Sequence, residues 1–154
     1  MVQVVLVHPQ IPPNTGNVAR TCAATDTPLH LVAPLGFELS DRYLKRAGLD
    51  YWPYVDLTVH ASWQDFLAHV QTTAGRCLGF APRATDDYLQ IAYQSGDWLL
   101  FGSETEGLSA TQLQACQATV RIPMRQPRVR SLNLSVSVAI ALFESQRQLG
   151  LLGD

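Results

Sequence analysis

The chain has 154 residues, 47% of them apolar and 16% charged, a balance that excludes an intrinsically disordered polymer and fits one domain with its own core. Its formal net charge is −2, from 11 basic and 13 acidic side chains, which argues against a generic basic coat for nucleic acid. Its apolar runs stop far short of the ~20 residues that cross a bilayer. Val2–Val7 has no basic flank and meets Pro9, unlike a signal peptide, so the expectation is a soluble, cytoplasmic protein.

Val2–Val7 is a nearly continuous β-branched run, the pattern of a strand covered on both faces. His8–Pro13 reads as a loop, because Pro9, Pro12 and Pro13 interrupt regular structure. Asn14 or Thr15 is placed to cap a helix reaching about Thr25. Leu29–Ala33 reads as a second strand, closed by Pro34 and Gly36. Ser40–Ala47 reads as a short helix ending at Gly48, a left-handed cap position. Val55–Val59 is a strand. Ser62–Asp65 resembles a capping box ahead of a helix whose apolar face holds Phe66, Leu67 and Val70.

Arg76–Phe80 reads as another strand, and Ala81–Tyr93 as loop or broken helix. Trp98–Phe101 is a buried strand ending at Gly102, and Ser109 opens a helix to about Cys116. Val120 and Ile122 form a last strand before Pro123, and Asn133–Leu149 is the longest helix, stopped by Gly150. Alternating strands and helices predict an α/β fold, a mainly parallel sheet flanked by helices, in a single domain. Ligands of such sheets bind at the carboxyl ends of strands, here after Val7, Ala33, Phe80, Phe101 and Ile122.

There is no P-loop, no dinucleotide fingerprint, no H-E-x-x-H and no G-x-S-x-G. Cys22, Cys77 and Cys116 are far apart and form no C-x-x-C pair, so they read as small buried apolar residues. His8, His30, His60 and His69 lack ligand spacing and read as structural or surface histidines, so no metal is implied.

Three segments carry chemistry. Asn14–Arg20 (Asn-Thr-Gly-Asn-Val-Ala-Arg) sits where helix amides face the ligand edge, with Arg20 within reach of that edge. Phe101–Ser109 leaves a buried strand through glycines 102 and 107, flanking Glu104, whose carboxylate suits a ribose hydroxyl or a cation. Arg121–Met124 leads through Arg125, Arg128 and Arg130 to Ser131, Leu132 and Asn133, a strand end, a basic loop and a helix start together. That third segment suits an adenine-like ring on backbone amides with arginines on phosphate; ordinary capping by Ser131 and Asn133 explains it equally. Taken singly, the other two are also explained by a capped helix and by a tight strand-to-helix turn.

In this order the three resemble the signature motifs of the SPOUT superfamily of S-adenosylmethionine-dependent RNA methyltransferases. The resemblance is strongest to its tRNA (cytidine/uridine-34-2′-O)-methyltransferases. It rests on Ile11–Asn17 with Arg20, Leu44–Tyr51, Gly102–Gly107 and Arg121–Met124. Departures are Val136 in the third motif, Glu106 where relatives carry Arg, Phe143 in place of a frequent Tyr, and a basic loop one residue longer.

The resemblance implies a carboxyl-terminal trefoil knot, although general topology rules favour an unknotted sheet. It implies a homodimer joined through the first and last helices, with tRNA, at its anticodon stem-loop, bridging subunits. It implies S-adenosyl-L-methionine held around Phe80, Gly102, Glu104, Gly107, Ile122, Met124, Ser131 and Leu132. Arg20, Glu104, Ser131 and Asn133 match its catalytic positions. Asn14, Arg20, Arg42, Lys45, Arg46, Arg125, Arg128 and Arg130 are the expected RNA contacts. A guanidinium stays protonated, so Arg20 is read as orienting the ribose and steadying oxyanion charge rather than as a base. Alternatives are another RNA substrate such as ribosomal RNA, an inactive knotted RNA-binding dimer, or a nucleotide-binding domain unrelated to RNA.

Overall fold

The computed structural model describes residues 1–153, leaving out the side chains of residues 48–50; the cap expected at Gly48 lies outside the described residues. Seven strands form one sheet in the order β3-β2-β1-β6-β4-β7-β5. They are β1 Gln3–Val7, β2 Leu29–Val32, β3 Leu57–His60, β4 Cys77–Phe80, β5 Asp86–Asp87, β6 Trp98–Phe101 and β7 Ala118–Arg121. Every pairing between them is parallel. The helices are α1 Pro12–Ala24, α2 Arg42–Gly48, α3 Trp63–Gln71, α4 Ala110–Gln114 and α5 Leu134–Gln148, with a 3₁₀ segment at Leu49–Tyr54. Among the described residues no helix is long and apolar enough to cross a membrane.

Strand alternation divides the core into two layers. Val4, Leu6, Leu29, Leu31, Leu99 and Phe101 face α1 and α5, meeting Val18, Cys22, Val138 and Leu142. Val5, Val7, Trp98 and Leu100 face the other way, onto Trp63, Phe66 and Val70 of α3. Each fully buried Leu or Val contributes roughly 1.5–3 kcal/mol, so the central strands β1 and β6 anchor both layers.

Two local expectations need correction. Pro12 and Pro13 do not lie in a loop; they open α1 as its first two residues, where a missing N–H would be unpaired in any case. The N-cap is therefore Ile11, without a side-chain cap, and Asn14 and Thr15 lie buried inside the helix. The stretch after Phe80 holds a strand, β5, whose Asp86 and Asp87 pair with Val120 and Arg121. Elsewhere the caps follow the sequence. Ser62 accepts from the Asp65 amide at 3.1 Å, Ser109 and Gln112 complete a reciprocal capping box, and Asn133 caps α5. Cys22 and Cys77 are buried and Cys116 half-buried, all three as free thiols.

The histidines are less dispersed than their numbering suggests. His30 and His60 on neighbouring strands stack at 5.2 Å, and His69 of α3 lies 5.2 Å from His60 and 6.0 Å from His30. His30 is buried, sharing hydrogen bonds with His60 at 2.9 Å and Gln3 at 2.7 Å. Burial first, then His60 and His69, pull its pKa down from 6.5 to about 4. The unfolded chain takes up this proton near 6.5 and the folded chain only near 4. Stability is thus expected to be intact above that window and to fall as the pH drops through it. The total loss is about 3 kcal/mol at 1.36 kcal/mol per pKa unit. Urea unfolding at neutral pH and near pH 4 checks this: His30→Gln should lose far less than the wild type. Equal losses would place the acid sensitivity elsewhere.

Candidate active site

A cavity of about 480 Å³ opens at the carboxyl ends of β4, β6 and β7, the edge where parallel sheets bind ligands. Phe80, Gly102, Glu104, Gly107, Ile122, Met124, Ser131 and Leu132 all line it. So do Asn14, Arg130 and Asn133. Segments far apart in sequence meet here because β6 pairs with both β1 and β4, while β7 pairs with β4. One wall is apolar, with Phe80 stacked on Phe101 at 4.7 Å. Among the described residues, the backbone amides of Met124, Ser131 and Leu132 donate to no protein acceptor, which leaves them for a ligand.

Glu104 is tied down by the start of α1. Its carboxylate accepts from the Gln10 amide at 2.9 Å, the Ile11 amide at 2.6 Å and the Asn14 side-chain amide at 3.3 Å. It serves as the cap that Ile11 lacks, and a negative charge suits a helix N-terminus. Asn14 in turn accepts from Asn133 Nδ2 at 3.1 Å, and Asn133 Oδ1 accepts from the Ser135 amide at 2.9 Å. The three polar side chains form one relay across the cavity, joining the starts of α1 and α5 to the loop after β6. Asn14, expected as an RNA contact, is 9% exposed and committed to this relay. Sequence spacing carries no signal for the relay, whose members lie 90 and 119 positions apart.

Arg20 is elsewhere. It is exposed on the outward stripe of α1 with Pro13 and Asn17, and its guanidinium lies 4.9 Å from the Tyr51 ring centroid. It does not line the cavity of its own chain. Arg42, Lys45 and Arg46 are exposed on or beside α2, and Arg125 and Arg128 on the loop before α5; these too stand outside the cavity. No group of His, Cys, Asp or Glu among the described residues is arranged to hold a metal ion.

Comparison with known proteins places this arrangement. The family described as SpoU rRNA Methylase matches residues 1–143. A relative from Synechocystis sp. is 60% identical over 153 residues, covering 99% of this chain and 100% of that one. A tRNA (cytidine(34)-2′-O)-methyltransferase of Burkholderia cenocepacia is 49% identical, covering 99% of each chain. A solved structure concerned with 2-OH methylation of C/U34 on tRNA superposes with a TM-score of 0.93 at 49% identity over 97% of both chains. An AdoMet-bound rRNA methyltransferase from Sinorhizobium meliloti superposes with a TM-score of 0.88 at 27% identity, covering 96% of this chain and 56% of that one. A family match over most of the chain, and identities near half along its whole length, make this chain a member of the SpoU rRNA Methylase family.

Proposed function

We propose that this protein methylates the ribose 2′-hydroxyl of nucleotide 34, cytidine or uridine, in tRNA, with S-adenosylmethionine as donor. The observation that carries the reading is the single cavity at the ends of β4, β6 and β7, where all three motif segments meet. The names of the Burkholderia relative and of the solved C/U34 structure supply the nucleotide. The AdoMet-bound neighbour supplies the donor.

The residues present fit that donor. Its volume class suits a cavity of about 480 Å³. Phe80, Ile122, Met124 and Leu134 offer an apolar wall to an adenine ring, and the free amides of Met124, Ser131 and Leu132 offer donors to its nitrogens. Bound there, the donor supplies an electrophilic methyl already activated by the sulfonium charge.

The protein's own task is alignment and proton management. Asn133 and Ser131 stand at the cavity to orient the ribose, and the Asn14–Glu104 pair holds Asn133 in place. Arg20 steadies developing charge on the 2′-oxygen and leaves the proton to a phosphate or water. Because Arg20 lies outside its own cavity, RNA or a second subunit must bring ribose and guanidinium together. Exposed Val136 and Phe143 on α5, with Leu151 and Leu152 beyond it, support a homodimer through this helix. The same reading takes residues 1–154 as one domain, threads its carboxyl-terminal part as a trefoil knot, and places the enzyme with tRNA in the cytoplasm. Arg130 at the cavity mouth, with Arg125 and Arg128, meets the anticodon stem-loop backbone.

The test is incubation of the purified protein with methyl-labelled S-adenosylmethionine and bulk tRNA, then nuclease digestion and nucleoside mapping, with sedimentation of the same sample. Label on the 2′-oxygen of nucleotide 34, in a particle of twice 17.0 kDa, is expected. Label in ribosomal RNA alone would move the substrate, and a monomer active at full rate would remove the dimer.

A further inference from the structure

Between residues 42 and 54, Leu44 and Trp52 turn inward while three tyrosine rings turn outward. Leu44 is fully buried, and half-buried Trp52 packs on the core. Tyr43, Tyr51 and Tyr54 are 48%, 41% and 74% exposed. Three of the chain's five tyrosines thus stand in water within twelve residues. Such rings normally bury most of their surface, so a cluster left outside marks a surface built to meet a partner.

Cations sit among these rings. Arg42 lies 4.8 Å from the Tyr43 ring centroid and donates to its hydroxyl at 2.9 Å. Arg20 covers Tyr51 at 4.9 Å. Exposed Lys45 and Arg46 complete the patch. Among the described residues the ion pairs are Arg76–Asp97 and Arg147–Glu144, so none of these four cations pairs with a described carboxylate. The nearby Asp41 carboxylate accepts instead from the amides of Tyr43 and Leu44. The patch is therefore net positive and aromatic, the chemistry that stacks unpaired bases while holding their phosphates. Helix α1 links it to the cavity: Asn14 lines the cavity, and Arg20 stands six residues, about 9 Å, further along the helix.

We propose that Tyr43, Tyr51 and Tyr54 form a stacking platform for unpaired bases of the RNA substrate, beside the nucleotide that enters the cavity. This rests on the RNA-methylating function above and deepens it: the platform selects a loop over a duplex. Arg20 and Arg42 stiffen the rings from one face until a base displaces or sandwiches them.

The test compares the full chain with Tyr43→Ala/Tyr54→Ala, Tyr51→Ala and the corresponding Phe variants. Filter binding is measured against an unpaired oligoribonucleotide and a duplex of equal phosphate number, over a range of salt. Each Ala variant is expected to bind unpaired RNA about tenfold more weakly, with unchanged duplex affinity, salt slope and S-adenosylmethionine affinity. The Phe variants should regain wild-type binding, because the ring face does the stacking. Unchanged binding of unpaired RNA, an equal loss on the duplex, or failure of Phe to rescue would each overturn the platform. If the wild type methylates tRNA yet the Ala variants bind normally, the platform alone falls. If the wild type binds no RNA, the proposed function falls with it.

Discussion

Gly102→Ala is expected to destabilise the fold by about 4 kcal/mol or more, among the largest effects a single methyl group can have. A Cβ at this position would lie 2.0 Å from the carbonyl carbon of Gly107 and 2.2 Å from the amide nitrogen of Leu108. Both obstacles are backbone, so no rotamer change relieves the collision. Neither can move alone. The loop is closed by the Gly107 amide donating to the Ser103 carbonyl at 2.9 Å, and buried Leu108 is packed into the second core layer. Relief must come from shifting the loop that carries Glu104, so donor binding should fail as stability drops. Gly107→Ala is the contrasting change. It meets open space, but at φ +67°, so only the left-handed conformation of an L-residue is at issue, roughly 1–2 kcal/mol. Urea unfolding and calorimetric titration with S-adenosylmethionine read both variants. If Gly102→Ala proves as mild as Gly107→Ala, the loop is far softer than its contacts indicate.

The strands were legible because fully buried parallel strands read as unbroken β-branched runs. Val2–Val7 carries that pattern but for Gln3, Trp98–Phe101 is an unbroken apolar run without a β-branched residue, and both sit at the sheet centre with neighbours on each side. α5 was legible at both ends, from Asn133 as cap and Gly150 at φ +70° beyond it. The start of α1 was not, since proline breaks a helix interior but suits its first turn, and sequence spacing alone does not say which applies. β5 is two acidic residues with no apolar signal. It exists because β7 offers an edge.

The cavity residues were legible as motifs, but not the hydrogen bonds that order them. Glu104 is 93 positions from Ile11 and Asn133 is 119 from Asn14. Such pairings follow from strand order, which local pattern does not encode. The histidine cluster has the same origin. The register sets Val32 beside His60 and Thr58 beside His30, bringing together side chains thirty residues apart. Arg20 shows the limit from the other side: its sequence position suggests the ligand edge, while the helix phase turns it outward onto Tyr51.

Glu104→Ala is expected to lower stability by about 2 kcal/mol and methyl transfer by roughly a hundredfold. Two backbone amides at the α1 start lose a charged acceptor, worth roughly 1.5–3 kcal/mol each when fully buried. Water reaches both amides in part, so the stability loss is smaller than that sum. The larger effect falls on activity. Without Glu104, the Asn14 side chain has no acceptor for its amide, and Asn133 loses the partner that fixes its rotamer. Loss of alignment by about an ångström at the reacting oxygen accounts for a hundredfold. Glu104→Gln should fall between: one carbonyl oxygen still accepts, but the amide group turns donor hydrogens on Ile11 or Asn14. A double-mutant cycle with Asn14→Ala separates relay from bystander. If the relay acts as a unit, the two losses in activity will be strongly non-additive, the second substitution adding little to the first. Additivity within about 0.5 kcal/mol would mean that Glu104 and Asn14 act independently, and Asn133 would then need another source of its orientation.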